Sequence, residues 1–202
     1  MELTYNKIQT TGTDTPLKIV KGHFATNHAH TNYYFDLTTV KSRLSEAGGI
    51  AQALVHMYLY DMIVDTIVCM EGTEVIGTLL AQELTKGGFM SKNAHKTIYV
   101  IKPEFNSNSQ IVFKDNYRAM INGKNVLILT ATVTTGLTIN KAIEGVQYYG
   151  GVIQGIYGEC ALFARLVTLY HVLTLLDGTD GWSISRWTAD AEIFQFLHQT
   201  GL

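Results

Sequence analysis

Cysteine, proline and charge are all scarce in this chain. Its 202 residues hold 2 cysteines and 2 prolines, and only 16% are charged. Cys69 and Cys160 are too few for a disulfide framework or a zinc site, so both are expected to be buried thiols in a reducing compartment. Runs of like charge are missing, and a formal net charge of −2 supplies no basic stripe, so no nucleic-acid partner is expected. The longest apolar stretch, Ala161 to Leu176, is broken by Arg165 and His171 and is too short for a bilayer, which argues against a membrane partner. The opening residues, Met-Glu-Leu-Thr-Tyr, lack a basic segment followed by an apolar core; no signal peptide and a cytoplasmic location are expected. No strand end carries Gly-x-Gly-x-x-Gly, which weakens the case for a nucleotide-binding oxidoreductase.

What is present is a hydrophobic fraction of 47%, enough for one α/β domain with a sizeable core. Residues 1–40 are polar and turn-rich and end in an aromatic strand, Thr31 to Leu37, which together suggest a small N-terminal hood. A helical period runs from Lys41 to about Tyr60. Over 61–158, apolar strands at Met62–Met70, Thr97–Lys102, Val126–Leu129 and Val152–Tyr157 alternate with helices at about Glu74–Thr85 and Thr138–Tyr149. That alternation predicts a doubly wound parallel sheet. Pro103 to Asn116 is polar and aperiodic and reads as a long loop. Residues 159–202 form a C-terminal extension of the same single domain, with His171–Leu176 unresolved between strand and helix and Ala189–His198 a short helix.

Several residue types invite a site. His23, His28 and His30 lie close together, yet no Asp, Glu or Cys cluster completes a metal centre, and no metal ligand is assigned. Glu159-Cys160 lacks a histidine at a nucleophile's spacing. Trp182 and Trp187 read as packing residues of the tail. In Tyr33-Tyr34-Phe35, alternation sets Tyr34 opposite to the other two, leaving core packing and ligand stacking equally open.

The strongest signal is Asn125 to Thr138. An apolar run, Val126–Leu129, passes into six small or hydroxyl residues, then Gly136, Thr138 and a helical period. A buried strand that turns tightly into a helix offers open N–H groups to an anion, and the hydroxyls of Thr130, Thr132, Thr134, Thr135 and Thr138 suit a phosphate. A second strand-to-helix turn, Glu71-Gly72-Thr73, belongs to the same edge of a parallel sheet, where ligands bind. Between Val126 and Thr138 there is no acid.

Val126–Thr138 resembles the phosphoribosyl pyrophosphate (PRPP) signature of the type I phosphoribosyltransferases: four apolar residues, two acids, two variable residues and Thr-Thr-Gly-x-Thr. Lys21-Gly22 with Asn32–Leu37, Ile67–Leu80 and Lys102 are similar to segments of the orotate branch, so that the resemblance spans about residues 17–158. It implies that Thr132, Thr134, Thr135, Gly136, Leu137 and Thr138 hold a 5-phosphate, and that Glu71, Gly72 and Thr73 face the pyrophosphate. It also implies that Lys21, Tyr34 and Phe35 approach a base, with Lys102 and Lys114 flanking the flexible loop. Mg²⁺ would arrive on the pyrophosphate, and a homodimer is expected by analogy alone.

The departures are specific. Thr130 and Ala131 stand where the family has acids that hold the ribose hydroxyls and stabilise charge at the anomeric carbon. The loop Pro103–Gln110 has no basic residue before Lys114. Both losses act on the transition state more than on binding. Two functions therefore stand side by side. One is transfer of a 5-phosphoribosyl group to a pyrimidine-type base. The other is a catalytically degenerate relative that binds a phosphoribosyl ligand or nucleotide as a sensor or regulatory protein.

Overall fold

The computed structural model describes residues 5–10, 13–25, 30–56, 62–86, 92–133, 137–163 and 166–168. The N-terminal part is an antiparallel sheet of β1 (Asn6–Thr10), β2 (Thr13–Ala25) and β3 (His30–Asp36), with β2 in the centre. The expected aromatic strand is β3, but the polar stretch before it is also strand. Leu17, Ile19 and Val20 of β2 are buried with Phe35 of β3, and the β2–β3 register shifts between Lys21 and Phe24. Thr15 Oγ1 donates to the Glu46 carbonyl at 3.4 Å and Lys18 Nζ to Thr39 Oγ1 at 2.8 Å, joining this sheet to the helices that follow.

The helix expected from Lys41 to Tyr60 is two helices. α1 (Thr38–Ser42) and α2 (Leu44–Leu54) are divided at Arg43, whose φ of −92° and ψ of 122° are extended. Asp36 Oδ1 accepts the Thr38 N–H at 3.0 Å, which starts α1 ahead of the expected position. α2 buries Ala47, Ile50, Ala51 and Leu54, the spacing of a helix lying on a sheet.

The main sheet runs in the order β10 (Leu166–Thr168), β9 (Val152–Phe163), β8 (Asn125–Val133), β4 (Thr66–Cys69), β5 (Tyr99–Ile101). β5, β4, β8 and β9 are parallel, and β10 pairs antiparallel at the edge. The fold is thus the expected α/β type. β4 is shorter than the Met62–Met70 expectation because the Val64 N–H is satisfied by Asn93 Oδ1, at 2.9 Å, rather than by a neighbouring strand.

Both faces of the sheet are buried. Val68, Val126 and Ile128 pack with α5 (Leu137–Tyr148) through Ile139, Ala142 and Val146. Ile67, Cys69, Leu127 and Leu129 pack with α2 and α3 (Glu74–Lys86) through Ala51, Ile76 and Leu80. Such double burial explains why the central strands are continuous apolar runs. In β9, Val126 pairs with Ile153 but Leu127 with Gly155. The extra residue, Gln154, reverses the alternation, so Ile153 and Ile156 share one face and Tyr157 enters the other.

The expected loop Pro103–Asn116 contains a hairpin of β6 (Glu104–Phe105) and β7 (Ile111–Val112), followed by a 3₁₀ turn at Asp115–Tyr117 and α4 (Arg118–Ile121). Asn106 closes the hairpin: its Oδ1 accepts the N–H groups of Asn108 at 3.0 Å and Gln110 at 2.9 Å. The C-terminal helix expected at Ala189–His198, the segment His171–Leu176, and Trp182 and Trp187 lie outside the described residues. No helix among the described residues is long and apolar enough to cross a membrane.

Candidate functional site

β4 and β8 are neighbours whose connections leave in opposite directions. β4 passes through α3 to β5 on one side, and β8 passes through α5 to β9 on the other. The carboxyl ends of such a pair open a crevice, the place where doubly wound sheets bind ligands. The Glu71-Gly72-Thr73 turn and the end of β8 lie at this crevice.

The β4 turn is tightly built. The Met70 N–H donates to the Leu129 carbonyl at 2.7 Å, carrying the ladder one residue past β4. Glu71 and Gly72 then adopt positive φ, 54° and 81°, which reverses the chain into α3. A left-handed conformation suits Gly72 and is unfavourable for Glu71. Thr73 is fully buried, and its hydroxyl lies 2.8 Å from the Met70 carbonyl and 3.2 Å from that of Leu129. Its own carbonyl accepts the Gly77 N–H at 2.8 Å, starting α3. The Thr73 hydroxyl is therefore committed to the turn, and the surface offered to the crevice is that of Glu71 and Gly72.

Glu71 reaches across the crevice. Its Oε2 accepts the Thr132 N–H at 3.1 Å and the Thr132 hydroxyl at 2.9 Å. Its main-chain carbonyl accepts Lys41 Nζ from α1 at 3.1 Å. Lys41, which sequence reasoning missed, thus stands beside the turn, and no local motif marks it. Asp36 lies nearby. The Thr38 hydrogen bond holds its carboxyl below the usual range against the opposing effect of burial, with the charges of Lys18 and Lys41 assisting.

On β8, Thr130 is 2% exposed and Ala131 1%. The Thr130 hydroxyl donates to the Thr132 carbonyl at 3.2 Å, so neither position presents a free polar group to the crevice. Thr132 is half-buried, Leu137 is 55% exposed at the start of α5, and Thr138 is half-buried in its first turn. Thr134, Thr135 and Gly136 lie outside the described residues.

The flanking lysines have acidic partners. Lys102 Nζ lies 2.8 Å from Glu74 Oε1 in the first turn of α3, a pairing that holds the Lys102 pKa above its ordinary value. Burial pushes the Glu74 carboxyl up, but the Lys102 contact and its own N–H bring it below the ordinary value. Lys114 Nζ lies 3.1 Å from Glu104 Oε1 across the hairpin region. On the N-terminal sheet, Lys21 is exposed on β2, and Tyr34 is 45% exposed with its ring 5.5 Å from that of Phe24. Phe35 is 8% exposed and belongs to the core, so Tyr34 is the aromatic of the pair with a ring open to solvent. No contact joins Lys21 or Tyr34 to the crevice among the described residues. Cys69 is buried against Gly77; burial pushes its thiol up to about 12, with the Thr73 hydrogen bond opposing. No group of three His, Cys, Asp or Glu side chains suited to a metal occurs among the described residues.

Solved structures share this architecture. An orotate phosphoribosyltransferase from Mycobacterium tuberculosis H37Rv, in complex with Fe(III) dicitrate, superposes with a TM-score of 0.50 over 72% of this chain and 78% of its own, at 17% identity. The chain has the type I phosphoribosyltransferase fold. The UMP synthase of Leishmania donovani matches with a TM-score of 0.50 over 71% of this chain at 18% identity; the match covers 28% of that longer protein. No family model matches the sequence, and no curated protein does. At these identities the likeness is one of fold. In this chain the pairing of β4 with β8 is what brings Glu71 to Thr132.

Proposed function

We propose that this protein binds a phosphoribosyl ligand, such as PRPP, ribose 5-phosphate or a nucleotide, in the crevice between the β4 and β8 ends. We further propose that it is weakly active or inactive in transferring the 5-phosphoribosyl group to a pyrimidine-type base. The observation that carries the binding half is the meeting of the Glu71-Gly72 turn with Thr132 of β8 at the switch point between β4 and β8. The start of α5, with Thr138 in its first turn, offers the positive end of a helix to the 5-phosphate. The burial of Thr130 and Ala131 supports the second half, because β8 presents no carboxylate to a developing oxocarbenium charge. The engagement of Lys102 by Glu74 points the same way: this ammonium has to exchange its carboxylate partner before it meets a pyrophosphate leaving group.

The described residues form no protein metal site, so Mg²⁺ would enter as the counter-ion of a bound diphosphate, and no step is routed through it. A two-fold dimer belongs to this proposal by analogy, and light scattering coupled to size exclusion tests it. The function itself is tested by following orotate or uracil with PRPP and Mg²⁺. A rate below the ordinary enzyme range of about 1–1000 per second is expected, together with saturable stabilisation by ribose 5-phosphate. Ordinary turnover sinks the degenerate half; absence of any ligand-dependent stabilisation sinks both.

A further inference from the structure

The β8 motif has no acid, yet the folded crevice has one. Glu71 comes from the other turn, and its Oε2 sits on the N–H and hydroxyl of Thr132, two residues from Thr130. We propose that the Glu71 carboxylate is the ribose-binding acid of this protein, accepting hydrogen bonds from the sugar hydroxyls of a ligand whose phosphate lies at the start of α5. The inference rests on the phosphoribosyl reading above and adds the residue that recognises the sugar.

A ribose phosphate presents two chemistries. Its phosphate requires donors and positive potential, which a helix start supplies. Its hydroxyls require a strong acceptor, and an ionised carboxylate accepts about four hydrogen bonds on two oxygens. Thr132 uses two of these, both on Oε2, and among the described residues no donor is seen on Oε1. Glu71 is exposed, so a ligand can reach it.

A simpler role is available, because β4 turns away at Gly72 and leaves the Thr132 N–H in need of an acceptor. That role does not require charge. The side-chain carbonyl of a glutamine would accept the same N–H. Nor does it require a glutamate in the left-handed region, where φ is 54° and an L side chain is disfavoured. Three contacts hold this conformation: Lys41 on the Glu71 carbonyl and the two bonds from Thr132. The turn is built to hold a carboxylate at the crevice.

The test compares the wild-type chain with Glu71→Gln and Glu71→Asp by calorimetric titration with ribose 5-phosphate and with inorganic phosphate. Unliganded melting temperatures serve as the control for folding. Loss of a charge-assisted hydrogen bond to the sugar should weaken ribose 5-phosphate about ten- to a hundredfold in Glu71→Gln. Inorganic phosphate should change less than about twofold, since it has no sugar hydroxyl for the missing charge to meet. Glu71→Asp, which keeps the charge, should retain part of the preference for the sugar phosphate and stands in if Glu71→Gln fails to fold. Unchanged ribose 5-phosphate binding in Glu71→Gln overturns the assignment. Tighter binding of both ligands also overturns it, since Glu71 would then be an anion competing with phosphate. If the wild-type chain binds phosphate but prefers no sugar phosphate, the assignment fails while the phosphate site stands. If it binds neither, the phosphoribosyl reading fails and takes this inference with it.

Discussion

Thr130 and Ala131, the residues standing where the family pattern has acids, are sealed inside the β8 packing at 2% and 1% exposure. Restoring both acids therefore buries carboxylates without partners. Thr130→Asp with Ala131→Asp should cost about 3–5 kcal/mol or more, a fall in melting temperature of roughly 6–20 °C by differential scanning fluorimetry. A variant that melts within a degree or two of the parent would show that the strand end opens to admit the charges. Cys69 gives the pH prediction at this scale. Its folded pKa, raised from 9.0 to about 12, means that the native state holds the thiol proton longer than the unfolded chain does. The associated stability is fully present below about pH 9 and is lost progressively as pH rises towards 12. Comparison of alkaline melts should show a steeper decline for the wild-type chain than for Cys69→Ala. At pH 8 the native Cys69 thiol should resist an aromatic disulfide reagent.

Elements were legible where one physical signal dominated. β4, β8 and the helices after them stood out because a sheet buried on both faces demands unbroken apolar residues, and a helix against it demands Ile76, Leu80 and Leu84 at helical spacing. The N-terminal strands were hidden by Pro16, Gly22 and interleaved lysines. The β6–β7 hairpin was hidden by strands of 2 residues each, too short for any period, although Asn106 to Ser109 is composed of turn-forming residues. The Glu71–Thr132 contact left no local trace, since its partners are 61 residues apart. Two tests belong to this scale. Gly77 lets α3 lie on β4, and a methyl group there would collide with Cys69 Sγ. Gly77→Ala should destabilise by about 1–3 kcal/mol in urea melts, even though alanine is the better helix former. Asn106→Ala removes the acceptor of two main-chain N–H groups and should speed hydrogen exchange at Gln110 while leaving the global midpoint nearly unchanged.

Across the whole molecule, the crevice belongs to no single segment. Lys41 comes from α1, Glu71 from the turn after β4 and Thr132 from β8. In sequence, α3, β5, the hairpin, α4 and most of β8 lie between Glu71 and Thr132. That order has a kinetic consequence. Joining Glu71 to Thr132 closes a loop of 61 residues, so the entropy of closure is spent late unless the pair belongs to the folding nucleus. Glu71→Ala and Thr132→Val should accordingly leave the refolding rate nearly unchanged and accelerate unfolding, the behaviour of contacts formed after the transition state. Stopped-flow chevrons of the two variants read this directly, and a slowed refolding limb would place the crevice in the nucleus instead. If the unfolding limb alone moves, the bond between Glu71 and Thr132 is a late lock on the molecule, and a ligand gripping both sides of it would lengthen the native lifetime.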